Sequence, residues 1–336
     1  MTKLTEREIR PAELMAKQRV AAVTDIGRML SRRAEFVTVP CPACGEEKSE
    51  PKFEKNSIQY VTCGSCDTFY VNPRPSPEVL EWFYRGSPNY AYWNDVIFPA
   101  SESVRRQKVF VPRVDRVLEL CKKYGVEARA LLEVGAGFGT FCTEAKSRGV
   151  FERVVAVEPT PDLAATCRKR GLEVIEKPVE QIQLDEGQLF DLVANFEVIE
   201  HLFEPVGFVR HMARLLKPGG LLVLTCPNGQ GFDVETLGTA SDTVGHEHVN
   251  CFNPTSLSKM LTACGFDVLE SFTPGKMDAD LVRNKILEGK YSVENQPFLK
   301  KVLIESPDRL LEPFQEFLVQ QGLSSNMWLV ARRGRE

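Results

Sequence analysis

The sequence lacks any long apolar run. Stretches such as Leu221 to Leu224 fall far short of the roughly 20 residues a membrane-crossing helix needs, so no helical span is expected. Met1 to Arg10 is charged and holds no apolar core of the kind that marks a secretory leader; a cytoplasmic protein is the expectation. Surplus positive charge is missing too. Lys and Arg number 42 against 46 Asp and Glu, a net charge of -4. That argues against a nucleic acid as the main partner, because phosphate contacts need a basic face. Histidine is scarce: His201, His211, His246 and His248 are the full set, so few side chains titrate near neutral pH. With no internal repeat and no low-complexity tract, 336 residues suffice for one sizeable domain and a smaller one.

Cysteine, by contrast, is plentiful, with ten in the chain. Four are paired by spacing: Cys41-Pro-Ala-Cys44 and Cys63-Gly-Ser-Cys66, separated by a polar arm. Two such knuckles can set four thiolates tetrahedrally around one zinc ion, and Gly45 and Gly64 suit the tight knuckle turns. A closed four-cysteine site has no open coordination position, so this zinc is expected to be structural. A redox dithiol pair is the alternative. The other six, from Cys121 to Cys264, read as small buried hydrophobes.

Residues 1–36 read as an N-terminal helical segment, 37–75 as the zinc ribbon, and 76–124 as an aromatic and helical linker or lid with Tyr84, Tyr90 and Trp93. Residues 125–336 read as the main domain, with a charged helical insertion at about 278–321. Within it, Leu131 to Val134 is a short buried strand that breaks at Gly135, Gly137 and Gly139 and enters a helix over Phe141 to Arg148. Such a turn lets a ligand lie close to the backbone, and the helix N-terminus behind it offers free N–H groups. The next strand, Arg153 to Val157, ends in Glu158, where an acidic side chain can bond ribose hydroxyls. A dinucleotide fingerprint fits poorly, since its third glycine would fall on Thr140.

Strand and helix patterns then alternate. Strands are expected at Glu173 to Ile175, Leu189 to Ala194, Leu221 to Thr225, Phe266 to Phe272 and Asn326 to Arg332, with helices between them. Alternation of this kind means right-handed crossovers and a mostly parallel, Rossmann-like α/β sheet, with ligands beyond the carboxyl ends of its strands. The glycine turn, Glu158 and Asn195-Phe196 occupy such ends and should converge on one pocket.

The order Glu133, Gly135, Gly137, Gly139 resembles motif I of class I S-adenosylmethionine-dependent methyltransferases. Phe196-Glu-Val-Ile-Glu-His201, after Phe190-Asp-Leu-Val193, looks like the loop that borders the cofactor in a large group of them. The ribbon followed by Val71-Asn-Pro-Arg-Pro75 is similar to methyltransferases with an N-terminal zinc module in sugar and surface-glycan biosynthesis. The resemblance implies S-adenosylmethionine as cofactor, Glu133, the three glycines, Glu158, Asn195 and Phe196 around it, and a small sugar or glycan precursor as methyl acceptor. Sugar C-methyltransferases of this kind carry Tyr-His-Glu-His near the reacting carbon; here the segment is Gly245-His-Glu-His248.

Methyl transfer from a sulfonium needs alignment of donor and acceptor, and removal of the acceptor's proton. His248 is the first candidate base, with Glu247 as its orienting partner and His246 second. A polar loop without catalytic duty, or a metal at His246, His248 and Cys251, are the other readings of that segment. His211 reads as structural, and His201 as a backbone-bonding residue at a helix start, with a role beside the acceptor as the other reading. An RNA methyltransferase or a non-catalytic cofactor-binding scaffold are the competing functions. Oligomeric state is not readable.

Overall fold

The computed structural model describes residues 4–334; Thr2 and Lys3, at the head of the expected helical segment, lie outside them. Helices Glu6–Ile9 and Ala12–Ser31 come first. Strand β1 (Phe36–Val37) leads to the ribbon strands β2 (Ser49–Lys55), β3 (Ile58–Cys63) and β4 (Phe69–Val71), then β5 (Arg74–Pro75), which pairs with β1. Helix Pro77–Arg85 follows, capped by the Ser76 hydroxyl, which accepts from Val79 N–H. Helical backbone then runs from Pro88 to Lys123, widening into five-residue π turns at Trp93–Ile97 and Arg106–Phe110. Val114, Val117, Leu120 and Cys121 form its buried stripe.

The main sheet is built from β6 (Ala130–Val134), β7 (Arg153–Val157), β8 (Glu173–Ile175), β9 (Phe190–Phe196) and β10 (Leu216–Pro227). After a two-residue strand β11 (Asn250–Cys251), it is completed by β12 (Phe266–Phe272) and β13 (Asn326–Arg333). Its order is β12-β13-β10-β9-β6-β7-β8, with only β13 antiparallel to its neighbours. Every residue of β9 is buried, as a central strand with both faces covered requires. In β13 the alternation is visible: Met327, Leu329 and Ala331 enter one core and Trp328 and Val330 the other. Expected strands and helices appear where the pattern placed them, within a few residues. The main exception is β10, which begins five residues early because Lys217 to Gly220 continues the strand.

The ribbon is less separate than the sequence suggests. Strand β11, from the histidine-containing part of the main domain, pairs antiparallel with β4, Asn250 opposite Tyr70 and Cys251 opposite Phe69. The second sheet therefore runs β11-β4-β3-β2 and is shared between the two units. Cys41, Cys63, Cys66 and Tyr70 pack in the same core as Ile199, Phe252 and Leu257. A module this small buries too little surface to stand alone, and here it borrows the larger core. Helix Pro254–Ala263 ties the two further: Asn253 caps it by accepting from Ser256 N–H at 2.8 Å and donates from its amide to the Cys66 carbonyl at 2.9 Å. The insertion forms helices Asp278–Leu287, Pro297–Lys300 and Pro307–Gln320, packed through Ala279, Val282 and Leu303 on Leu237.

Candidate active site

The glycine turn closes on itself and on β7. Gly135 and Ala136 N–H both donate to the Val157 carbonyl, and Gly139 N–H to the Ala136 carbonyl. Gly137 N–H donates to Glu158 Oε2 at 2.8 Å, while Thr160 N–H reaches Oε1 at 2.9 Å. The turn spends these four on its own geometry; the N–H groups expected to be free are those of the helix N-terminus behind it, which begins at Thr140. What it offers a ligand is a fixed carboxylate and room. Gly135 sits at φ +79, and a Cβ there would meet Val198 Cγ2 at 2.6 Å. A Cβ on Gly137 would enter open space, which is the side a ligand can approach. Gly139 ends the turn as the N-cap of helix Thr140–Ser147.

Glu158 is buried, and burial raises its carboxyl, while the Thr160 and Gly137 N–H groups oppose that rise. Its oxygens keep lone pairs beyond those two bonds, so ribose hydroxyls can donate to it. Glu133 lies beneath the turn. Its Oε2 accepts from the Cys142 thiol at 3.1 Å, and burial pushes its carboxyl up to about 8, against the pull of Cys142 and Arg113. The unfolded chain releases this proton near the ordinary 4.5 and the folded chain near 8. Between those values the folded state holds more protons, so stability is full below 4.5 and falls as pH rises through the window. Glu133→Gln is expected to flatten that decline, by up to about 4 kcal/mol at pH 8; denaturant midpoints from pH 4.5 to 8.5 measure it, and an unchanged slope would clear Glu133 of the effect.

Asn195 and Phe196 are at the carboxyl end of β9, as expected, but face inward. Asn195 is fully buried and its amide donates to the Val134 carbonyl at 2.9 Å, fastening β9 to β6 under the turn. Phe196 meets Phe141 edge-on at 4.7 Å, and the Arg113 guanidinium lies 4.3 Å from its ring centroid. Arg113 went unnoticed in the sequence, where it is one of many charges on an amphipathic helix. The π turn at Arg106–Phe110 rephases that helix, and Arg113 ends as a buried cation near Glu197 and Glu133. Phe98 packs at 5.5 Å on Phe138 of the glycine turn, so the aromatic linker does overlie the turn. Glu197 holds a left-handed backbone, φ +56, secured by Thr225 Oγ1 at 2.6 Å and Asn326 Nδ2 at 3.0 Å. Strain of this sort persists only where surroundings enforce it.

The histidine segment is divided. His246 stacks edge-on with Phe83 at 5.6 Å, and its Nε2 is 3.6 Å from Glu247 Oε1, which also accepts from Asn89 Nδ2 at 2.6 Å. Glu247 therefore serves His246 and the helical linker, and does not orient His248. That role belongs to the Thr243 carbonyl, to which His248 Nδ1–H donates at 2.7 Å. His201, which bonds backbone as expected, is the partner of His248. Its Nδ1–H donates to the Glu247 carbonyl at 2.9 Å, and its ring centroid lies 4.9 Å from that of His248. Burial pulls both imidazoles down to about 4, so both are neutral at pH 7. His211, as expected, bonds the Gly207 carbonyl within its helix.

The ribbon holds this loop in place. Lys55 Nζ donates to the Ser241 carbonyl at 2.8 Å and Tyr60 Oη to the Gly245 carbonyl at 2.7 Å. Arg74, fully buried, donates to the carbonyls of Phe203 at 3.1 Å and Val249 at 3.2 Å, so one side chain joins both histidine-bearing segments. In the ribbon itself the four cysteine Sγ atoms lie within 4.8 Å of one another, with Cys41–Cys66 and Cys44–Cys63 each at 3.6 Å. Tetrahedral zinc with 2.3 Å bonds spaces its sulfurs by about 3.8 Å, so the set fits that ion. The left-handed residues of the knuckles are Gly45 and Asp67, and Gly64 is not one of them.

Comparison with known proteins agrees with this geometry. Residues 105–271 match the family described as "Methyltransferase domain". A protein of Mycobacterium tuberculosis named "Probable S-adenosylmethionine-dependent methyltransferase" is 32% identical over 142 residues, 41% of this chain and 49% of its own. A ubiquinone biosynthesis O-methyltransferase of Xanthomonas oryzae is 34% identical over 104 residues, 29% of this chain and 43% of its own. The chain thus spans less than half the length of these relatives. Among solved structures, a Burkholderia thailandensis 1,6-didemethyltoxoflavin-N1-methyltransferase aligns at 14% identity and TM-score 0.47, covering 85% of this chain and 99% of that one. No helix among the described residues is long and apolar enough to cross a membrane. The chain carries a Rossmann-like methyltransferase domain of the S-adenosylmethionine-dependent class.

Proposed function

We propose that the protein moves the methyl group of S-adenosylmethionine to a small-molecule acceptor, a sugar or glycan precursor, by O- or C-methylation in the cytoplasm. The observation that carries the reading is the pairing of two half-sites on adjoining strand ends. One is the Gly137–Glu158 clasp, and the other is the neutral His201–His248 pair beyond β9. In this reading Glu158 holds the ribose, Arg113 faces the cofactor's carboxylate, and Glu133, Asn195 and Phe196 form the floor. The acceptor atom attacks the methyl carbon in line, the carbon–sulfur bond breaks with its electron pair left on sulfur, and the acceptor's proton passes to His248 Nε2. Thr243 fixes the tautomer that leaves this nitrogen able to accept.

Zinc in the four-cysteine site supplies rigidity, and the ribbon's bonds to carbonyls 241 to 249 transmit it to the histidine loop. None of the ten cysteines forms a disulfide, which suits a reducing compartment. The small-acceptor reading draws support from the net charge of -4, which offers no electrostatic footing for RNA.

Methyl-labelled S-adenosylmethionine incubated with a nucleotide-sugar panel and a small-molecule extract, followed by mass spectrometry, is expected to label a sugar; label on RNA alone would overturn the acceptor class. His248→Ala is expected to slow turnover by about 100-fold or more while cofactor affinity stays within about twofold. A rate that survives the change would move the base elsewhere.

A further inference from the structure

Beside the histidine pair stands a third group that the methyl-transfer reading does not use. Glu200 is buried at 2% exposure, and its Oε2 has no hydrogen-bond partner among the described residues. Its Oε1 is 4.0 Å from His201 Nε2, too far for a hydrogen bond. One donor atom each from Glu200, His201 and His248 lies within 4.8 Å of the others. Since Nδ1 of both histidines donates to a backbone carbonyl, both Nε2 atoms carry lone pairs. Two imidazole lone pairs and a buried carboxyl, an acceptor throughout once ionised, thus lie together without a hydrogen bond among them. An arrangement of acceptors alone is costly unless a positive centre joins it.

We propose that Glu200, His201 and His248 bind a divalent first-row metal ion. Two imidazoles and one carboxylate are a donor set suited to such ions, and three protein ligands leave coordination positions open to a substrate. Each histidine already has the outer bond to a carbonyl that orients metal-ligating imidazoles. The backbone is braced as well. Asn250 donates from its amide to the carbonyls of Ile199 at 3.2 Å and Leu202 at 2.7 Å, clamping the Glu200–His201 turn to the strand just after His248. Ligand atoms about 2.1 Å from an octahedral ion sit about 3 Å apart, so the three side chains draw in by about 1 Å on binding. The second cluster of this kind, Asp25, His246 and Glu247, is a different case. Asp25 there already accepts from Ser87, Asn89 and Arg28, and Glu247 from Asn89.

The inference rests on the reading that this pocket faces the acceptor, and it narrows the acceptor's class. An ion with adjacent open positions selects a molecule offering two neighbouring oxygens, a vicinal diol or its aromatic equivalent. Bound to the ion, one hydroxyl loses its proton to solvent near neutral pH. His248 then acts as a ligand, and its role as base belongs to the metal-free pocket.

Mn2+ is the probe, because it favours nitrogen and oxygen over the thiolates of the ribbon. The full-length protein, its ribbon zinc quantified beforehand, is titrated with Mn2+ and followed by electron paramagnetic resonance. One equivalent should bind and show imidazole nitrogen couplings. Glu200→Gln and His248→Gln, each checked for folding by thermal unfolding, should weaken Mn2+ by about 100-fold or more; His246→Gln, on the far side of the loop, should leave it unchanged. Absence of bound Mn2+, or equal binding in the Glu200 and His248 variants, would overturn the site. Methylation at full rate in chelator without Mn2+ binding would remove the ion and keep the proposed function. Specific Mn2+ binding with no methylated product in any panel would do the reverse.

Discussion

Replacing Cys63 with serine is expected to strip zinc from the ribbon and to lower turnover by about 100-fold, while leaving S-adenosylmethionine binding nearly intact. Cys63 has no exposed surface, and its sulfur also accepts from Ser65 N–H at 3.4 Å. A structural zinc site contributes about 10–16 kcal/mol of folding free energy in small zinc modules, and three ligands do not retain it. The ribbon strands then lose the anchor that Lys55, Tyr60 and Arg74 depend on, and these are the residues that hold carbonyls 241 to 249. A shift of about 1 Å in a catalytic group is enough for a 100-fold loss. The cofactor half is spared because one face of β6, β7 and β9, with Leu131, Ala156 and Leu192, packs in a core that contains none of the ribbon cysteines. Metal analysis, calorimetry with S-adenosylmethionine and a turnover assay read the three parts separately. Full zinc content with normal turnover would remove both the four-cysteine site and the ribbon's hold on the loop.

Glu158→Ala is the complementary change and should act on the other half. The carboxylate is bonded to Gly137 and Thr160 N–H, and its remaining lone pairs are the proposed ribose acceptors. Hydrogen bonds to a charged group contribute about 1.5–3 kcal/mol each, so loss of a ribose pair predicts a fall in affinity of about 100- to 10,000-fold. Two backbone N–H groups would also be left without their acceptor, loosening the turn. Calorimetry with S-adenosylmethionine and with S-adenosylhomocysteine should show the same loss, since both carry the ribose. Unchanged affinity for either would place the ribose elsewhere. Zinc content and the histidine loop should be untouched.

The two variants separate along a line that the chain itself draws. The glycine turn, Glu158 and the strand–helix alternation are local in sequence. Periodicity places β7 to the residue because the buried faces of a parallel sheet demand an unbroken apolar segment. The four cysteines are equally legible, since knuckle spacing is a constraint within a few residues. By sequence alone, then, the chain determines a methyltransferase-type sheet, a glycine turn with Glu158 at its strand ends and a ribbon with four converging cysteines.

The acceptor side was decided by tertiary contacts. Nothing in Phe196-Glu-Val-Ile-Glu-His201 tells that His201 will meet His248, or that Glu200 will be sealed beside them; strand β11 and Asn250 bring them together across nearly fifty residues. Glu247 is the mirror case. Adjacent to His248 in sequence, it is claimed by Asn89 from the linker, because it sits in a tight turn closed by His248 N–H on the Gly245 carbonyl. Arg113 reaches the site only because a π turn rotates its helix. Sharing one sheet between ribbon and main domain follows the same logic: β4 has an unpaired edge, β11 satisfies it, and the hydrogen bonds of that edge carry the ribbon's rigidity to the histidines.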